Sequence, residues 1–119
     1  MTHDMLKIAK EGNECRVELF QVNRLNTLFS ELVKEQLKEL VEEPGISVIF
    51  NLEGIRFIDS SGFDVLRTIT EHAKRYGSEF KLCNLTDDVR ELMGLLELEG
   101  ELAFCTCVPA EEKILQLLD

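Results

Sequence analysis

Ile46-Ser47-Val48-Ile49-Phe50-Asn51-Leu52 is a nearly continuous, β-branched apolar run placed directly behind the breaker Pro44-Gly45. Such a run is typical of a strand buried on both faces of a sheet. Its flanks have a different period. Upstream, Leu25, Leu28, Phe29, Leu32, Val33, Leu37, Leu40 and Val41 recur in steps of three and four, with Glu31, Lys34, Glu35, Lys38 and Glu39 on the opposite side. That spacing predicts an amphipathic helix over 25–41, stopped by Pro44-Gly45. Downstream, Gly54, Ile55, Phe57 and Ile58 form a short connection into Asp59-Ser60-Ser61-Gly62. Phe63, Leu66, Ile69, Ala73 and Tyr76 then mark a second helix ending at Gly77.

Working outward, Leu6–Ile8 and Arg16–Phe20 read as strands around the turn Glu11-Gly12-Asn13, a hairpin. Phe80–Cys83 reads as another strand. Thr86-Asp87-Asp88 opens a third helix with Val89, Leu92, Met93 and Leu96 on one face, and Leu102–Val108 reads as a last strand. Pro109 stands at a first helical position ahead of Glu111, Glu112, Ile114, Leu115, Leu117 and Leu118, a fourth helix. After the hairpin, strand and helix alternate, which calls for a central sheet with parallel crossovers and helices packed on it. The fold class expected is α/β: a mixed sheet of four to five strands with an N-terminal hairpin and about four helices.

The 119 residues are the size of one domain, taken as 1–119, with no repeat or linker. The formal net charge is −10. That balance argues against nucleic acid, whose affinity comes from Lys and Arg neutralising phosphates, and against an anionic membrane surface. A partner with a basic face would be steered toward the chain. Met1-Thr2-His3-Asp4-Met5 lacks the pattern of a signal peptide, and no apolar run approaches a bilayer-spanning length, so the expected location is cytoplasmic. Cys15, Cys83, Cys105 and Cys107 lie in strand-like segments, and all four are expected to be reduced, structural thiols with no metal-ligating spacing.

Asp59-Ser60-Ser61-Gly62 sits at a strand-to-helix junction. As a capping device, Ser61-Gly62-Phe63-Asp64 has the form of a capping box with Asp at its end. As a catalytic device it lacks a base. The histidines are His3 and His72, and His72 lies roughly 16–18 Å beyond Ser60 at 1.5 Å per helical residue. Neither a Gly-x-Ser-x-Gly elbow nor a phosphate-binding glycine loop is present. The chain is therefore not expected to be an enzyme or to hold a cofactor or metal. As a modification site the motif fits better. A hydroxyl at a helix N-terminus is accessible, and a phosphate there gains from the dipole and free N–H groups.

From Cys15 to Leu118 the chain resembles a STAS domain, specifically the stand-alone bacterial anti-sigma factor antagonists. The likeness is carried by Val48-Ile49-Phe50-Asn51-Leu52, Ile55 and Phe57-Ile58-Asp59-Ser60-Ser61-Gly62. The resemblance implies partner switching. The unmodified protein binds an anti-sigma factor that is also a serine kinase of the histidine-kinase-like ATPase type, and so frees a sigma factor. Phosphorylation dissociates the complex, and a PP2C-type phosphatase reverses it. The family's modified serine follows the aspartate, which places it at Ser60; Ser61 would cap, Asp59 would position the hydroxyl, and Gly62 would keep the junction open. Asp59, Ser60, Ser61, Gly62, Phe63 and Asp64 would form the partner surface. They would be joined by Asn23 and Asn26 from Val22-Asn23-Arg24-Leu25-Asn26, which stands where many relatives carry a Gly-x-Leu-Asp-like turn. The alternative is a STAS subunit that braces a transporter complex, of the lipid-trafficking type, without phosphorylation.

Overall fold

The computed structural model describes residues 6–20, 22–98 and 100–105. Strands β1 (Leu6–Glu11) and β2 (Glu14–Leu19) form the antiparallel hairpin, turned at Gly12, whose φ of 62° suits a residue without a Cβ. A two-residue strand β3 (Arg24–Leu25) follows, then helix α1 (Thr27–Val41), strand β4 (Ser47–Asn51), a second two-residue strand β5 (Phe57–Ile58) and helix α2 (Ser60–Tyr76). Strand β6 (Glu79–Cys83) and helix α3 (Asp87–Leu95) complete the described elements. The main sheet has the order β1-β2-β4-β6, with β4 parallel to both β2 and β6. The fold is α/β with a mixed four-stranded sheet, as expected.

Registry explains where the core lies. Val17, Phe50 and Leu82 stand in one row, and Cys15, Val48 and Phe80 in the next, all buried. Onto this face pack Val33, Leu37 and Val41 of α1 and Phe63, Leu66, Ile69 and Ala73 of α2. The other face of β4 carries Ser47, Ile49 and Asn51, which are half-buried. The two-sided burial expected from the apolar run is thus realised on one side. Its opposite side neighbours long polar chains, Glu14 and Arg16 on β2 and Glu79 and Lys81 on β6, which pair along their own strands.

Several boundaries move. The first helix starts at Thr27, because Leu25 belongs to β3, where it pairs with Ile58 in a separate two-stranded parallel sheet. The last strand is, among the described residues, a single parallel bridge between Leu82 and Phe104; residues 106–108 and the fourth helix lie outside them. Cys15 and Cys105 are free thiols, but Cys83 is disulfide-bonded, against the expectation that all four are reduced. The bridge lays the last described segment beside the strand of Cys83, a proximity that spacing along the chain does not report. No helix among the described residues is long and apolar enough to cross a membrane.

Candidate functional site

Leu52 turns out of β4 with its N–H on the Cys83 carbonyl, and the chain returns as β5 beyond the C-terminal ends of the parallel strands. That edge is where open α/β sheets commonly present their binding loops. β5 is fixed from both sides. Arg56 N–H donates to Asn23 O (2.8 Å) and Asp59 N–H to Leu25 O (3.2 Å). On its far side, Thr86 Oγ1 donates to Ile55 O (2.6 Å), and the exposed Arg56 pairs with Asp88 of α3 (2.9 Å).

Asp59 is the N-cap of α2. It has extended backbone (φ −90°, ψ −177°), its carbonyl accepts from Phe63 N–H (3.0 Å), and its Oδ1 accepts from Gly62 N–H (2.9 Å). The capping role expected of Ser61 therefore falls to Asp59, two residues earlier. Aspartate caps as well as serine does, so sequence pattern alone leaves the phase open. Ser61 serves the cap instead, its hydroxyl donating to Asp59 Oδ1 at 2.6 Å. Asp59 Oδ2 accepts from the first residue of α1, through both Thr27 N–H (3.0 Å) and Thr27 Oγ1 (3.1 Å). One carboxylate thus satisfies amides at the start of two helices. Partial burial alone would push its pKa up. The hydrogen bonds from Ser61, Gly62 and Thr27 outweigh that and hold it at about 2, below the ordinary 3.8. Ser61→Ala should lower stability by about 0.5–1 kcal/mol in urea unfolding, since it removes one donor from the cap and leaves Gly62 and Thr27 in place.

The structure leaves some residues of the expected surface exposed and buries others. Ser60 is the first residue of α2, exposed, and its hydroxyl has no hydrogen-bond partner among the described residues. Asp64 is exposed one turn on, and Asn23 is exposed on the turn before β3. Asn26 is half-buried, its carbonyl accepting from Phe29 and Ser30 N–H in the first turn of α1. Gly62 and Phe63 are buried, Phe63 with only 2% of its surface exposed, so neither offers a side chain to a partner. Gly62 does not hold the junction open. A Cβ there would meet Leu25 O at 2.5 Å and Ile58 Cγ2 at 2.7 Å, so glycine lets α2 close onto β3. Asp59 is also not aimed at Ser60, since its carboxylate accepts from Ser61, Gly62 and Thr27. Two residues were missed. Phe57, 47% exposed, and Arg24, its cross-strand neighbour, lie on the outer side of the small sheet beside the junction. In the sequence, Phe57 is an apolar residue just ahead of the motif and Arg24 a basic one just ahead of the first helix, but their pairing is seen only in the structure. No group of three His, Cys, Asp or Glu side chains among the described residues could hold a metal ion.

This fold is shared with solved structures at low sequence identity. The anti-sigma-factor antagonist (STAS) domain protein from Planctomyces limnophilus superposes with a TM-score of 0.76 at 16% identity, over 96% of this chain and 98% of that one. The anti-sigma factor antagonist SpoIIAA gives 0.70 at 17% identity in its unphosphorylated form, over 95% and 96% of the two chains. In its phosphorylated form, from Bacillus, it gives 0.65 at 17% identity over 94% and 98%. The murine anion transporter Solute Carrier 26 family member A9 gives 0.61 at 17% identity, over 73% of this chain and 14% of that one. No curated protein sequence gives a significant match. The sequence model of the STAS domain matches residues 13–114, from the last residue of the hairpin turn through the whole of the α2 junction, and the chain belongs to the STAS domain family.

Proposed function

We propose that this chain is a regulatory binding module, an anti-sigma factor antagonist that switches partners by phosphorylation at Ser60. In the unmodified state it binds an anti-sigma factor that is also a serine kinase, in the cytoplasm, and releases a sigma factor; a PP2C-type phosphatase restores that state. The reading is carried by one contrast at the junction. Ser60 is exposed at the first position of α2, its hydroxyl without a hydrogen-bond partner among the described residues, whereas Asp59 and Ser61 are tied into the cap. A kinase has one hydroxyl to take there without dismantling the helix start. The product would add about −1.5 to −2 charges at pH 7. These would fall between the ionised Asp59 and the exposed Asp64, on a surface that a partner has to desolvate. Asp64, one turn beyond Ser60 on α2, and Asn23, Arg24 and Phe57 at the adjoining small sheet, all exposed, would form the rest of the partner surface.

The test is incubation with ATP and a candidate serine kinase, with mass-spectrometric mapping of the label. The expected result is stoichiometric label on Ser60, none in Ser60→Ala, and binding of Ser60→Asp to the kinase weakened at least about tenfold, equivalent to about 1.4 kcal/mol. Wild type left unlabelled, together with Ser60→Asp binding as tightly as wild type, would rule the reading out. A second reading, a STAS module that braces a transporter without a phosphorylation cycle, draws support from the likeness to the anion transporter's domain. It expects the same surface to bind and Ser60 to stay unlabelled.

A further inference from the structure

The β3–α1 turn and the α2 junction come from segments more than thirty residues apart, yet they meet beside Ser60. Main-chain bonds align them, from Arg56 to Asn23 and from Asp59 to Leu25. Thr27 adds a contact to the motif itself. Its N–H and its hydroxyl both donate to Asp59 Oδ2, and its Oγ1 lies 3.3 Å from Ser61 Oγ.

Proton bookkeeping shows what this does. An ionised carboxylate offers about four acceptor positions. Ser61 Oγ and Gly62 N–H occupy Oδ1, and the two Thr27 donors occupy Oδ2. Thr27 and Ser61 own one hydroxyl proton each, and both protons go to Asp59. The two hydroxyl oxygens therefore sit 3.3 Å apart because they donate to the two oxygens of one carboxylate. With all four positions filled, Asp59 has none left for the hydroxyl of Ser60. Removing the Thr27 hydroxyl would vacate one of them and release the turn from the side chain that ties it down.

We propose that Thr27 is a positioning residue: by filling Asp59 Oδ2 it keeps that carboxylate turned away from Ser60 and fixes the Asn23–Thr27 turn beside it, so that the two segments present one preformed surface. This rests on the reading of Ser60 as the modified group. Thr27→Val keeps the N–H and the shape and removes the hydroxyl; Thr27→Ser puts the hydroxyl back. Thr27→Ala serves as a second variant should the valine fail to fold.

Two measurements decide the matter. In a carboxyl-detected NMR titration, the Asp59 midpoint in Thr27→Val should move from about 2 toward the ordinary 3.8 and return in Thr27→Ser. With ATP and the serine kinase, the KM for Thr27→Val as protein substrate should rise about tenfold, as for loss of one hydrogen bond to a charged group, with kcat within about twofold, and Thr27→Ser should restore it. A general loss of stability would leave the Asp59 midpoint of the folded fraction where it is. An unchanged midpoint in Thr27→Val, or an unchanged KM while wild type is labelled normally, overturns the assignment. If wild type is not labelled at all, the phosphorylation reading fails, and the Asp59 titration alone then upholds or overturns the positioning role.

Discussion

Gly62→Ala should lower stability by about 3 kcal/mol, seen as a fall in the urea midpoint at unchanged slope. Alanine is ordinarily the better helix residue by ~1 kcal/mol, so on propensity alone the change would stabilise. Space decides against it. The new methyl would stand 2.5 Å from the Leu25 carbonyl oxygen, a distance real Cβ atoms do not adopt, and 2.7 Å from Ile58 Cγ2. The Leu25 oxygen cannot step aside cheaply, because it accepts from Asp59 N–H in the small sheet. Either α2 lifts away or β3 separates from β5, and both alter the surface around Ser60. A stability equal to wild type would mean that α2 does not approach β3 this closely.

Asp59→Ala should cost about 2–3 kcal/mol at neutral pH, since amides at the start of two helices lose their acceptor together. Asp59→Asn, which keeps one acceptor oxygen, should cost less, about 1–2 kcal/mol. The pH dependence is more specific than either magnitude. The folded carboxyl titrates at about 2 and an unstrained one near 3.8, so folding favours the ionised form. The stability this contributes is complete above about pH 4 and is lost as pH falls through about 2. Urea unfolding from pH 5 to pH 2 should therefore show wild type converging on Asp59→Asn. A gap between the two proteins that stays constant across that range would remove Asp59 from the double capping role.

The long elements were legible because burial imposes a period on them. α2 shows its apolar face plainly, and the end at Gly77 is the left-handed cap that glycine suggests (φ 72°, ψ 30°). Thr86 also caps α3 as its position implies, its hydroxyl accepting from Val89 N–H. What escaped were features with no period. β3 and β5 have two residues each, too few to alternate, and Leu25 lies at helical spacing from Leu28 and Phe29, so it read as the start of α1. The site was legible in composition but not in assignment. Asp, two serines and a glycine at a strand-to-helix junction announced a cap and an exposed hydroxyl. Which residue capped depended on Thr27 arriving from another segment, and the burial of Gly62 depended on a carbonyl from β3.

The link between Thr27 and Asp59 spans 32 positions, an interval that contains nearly all of α1 and the whole of β4. Closing a flexible loop of that length costs about 3 kcal/mol in chain entropy beyond a constant. A few half-exposed hydrogen bonds cannot meet that cost alone, so the junction depends on α1 and β4 being packed into the core. An unfinished or locally opened chain still carries Ser60 in its sequence but does not hold the Asn23–Thr27 turn beside it. If a partner reads both segments at once, as proposed above, it would recognise only molecules whose core is packed.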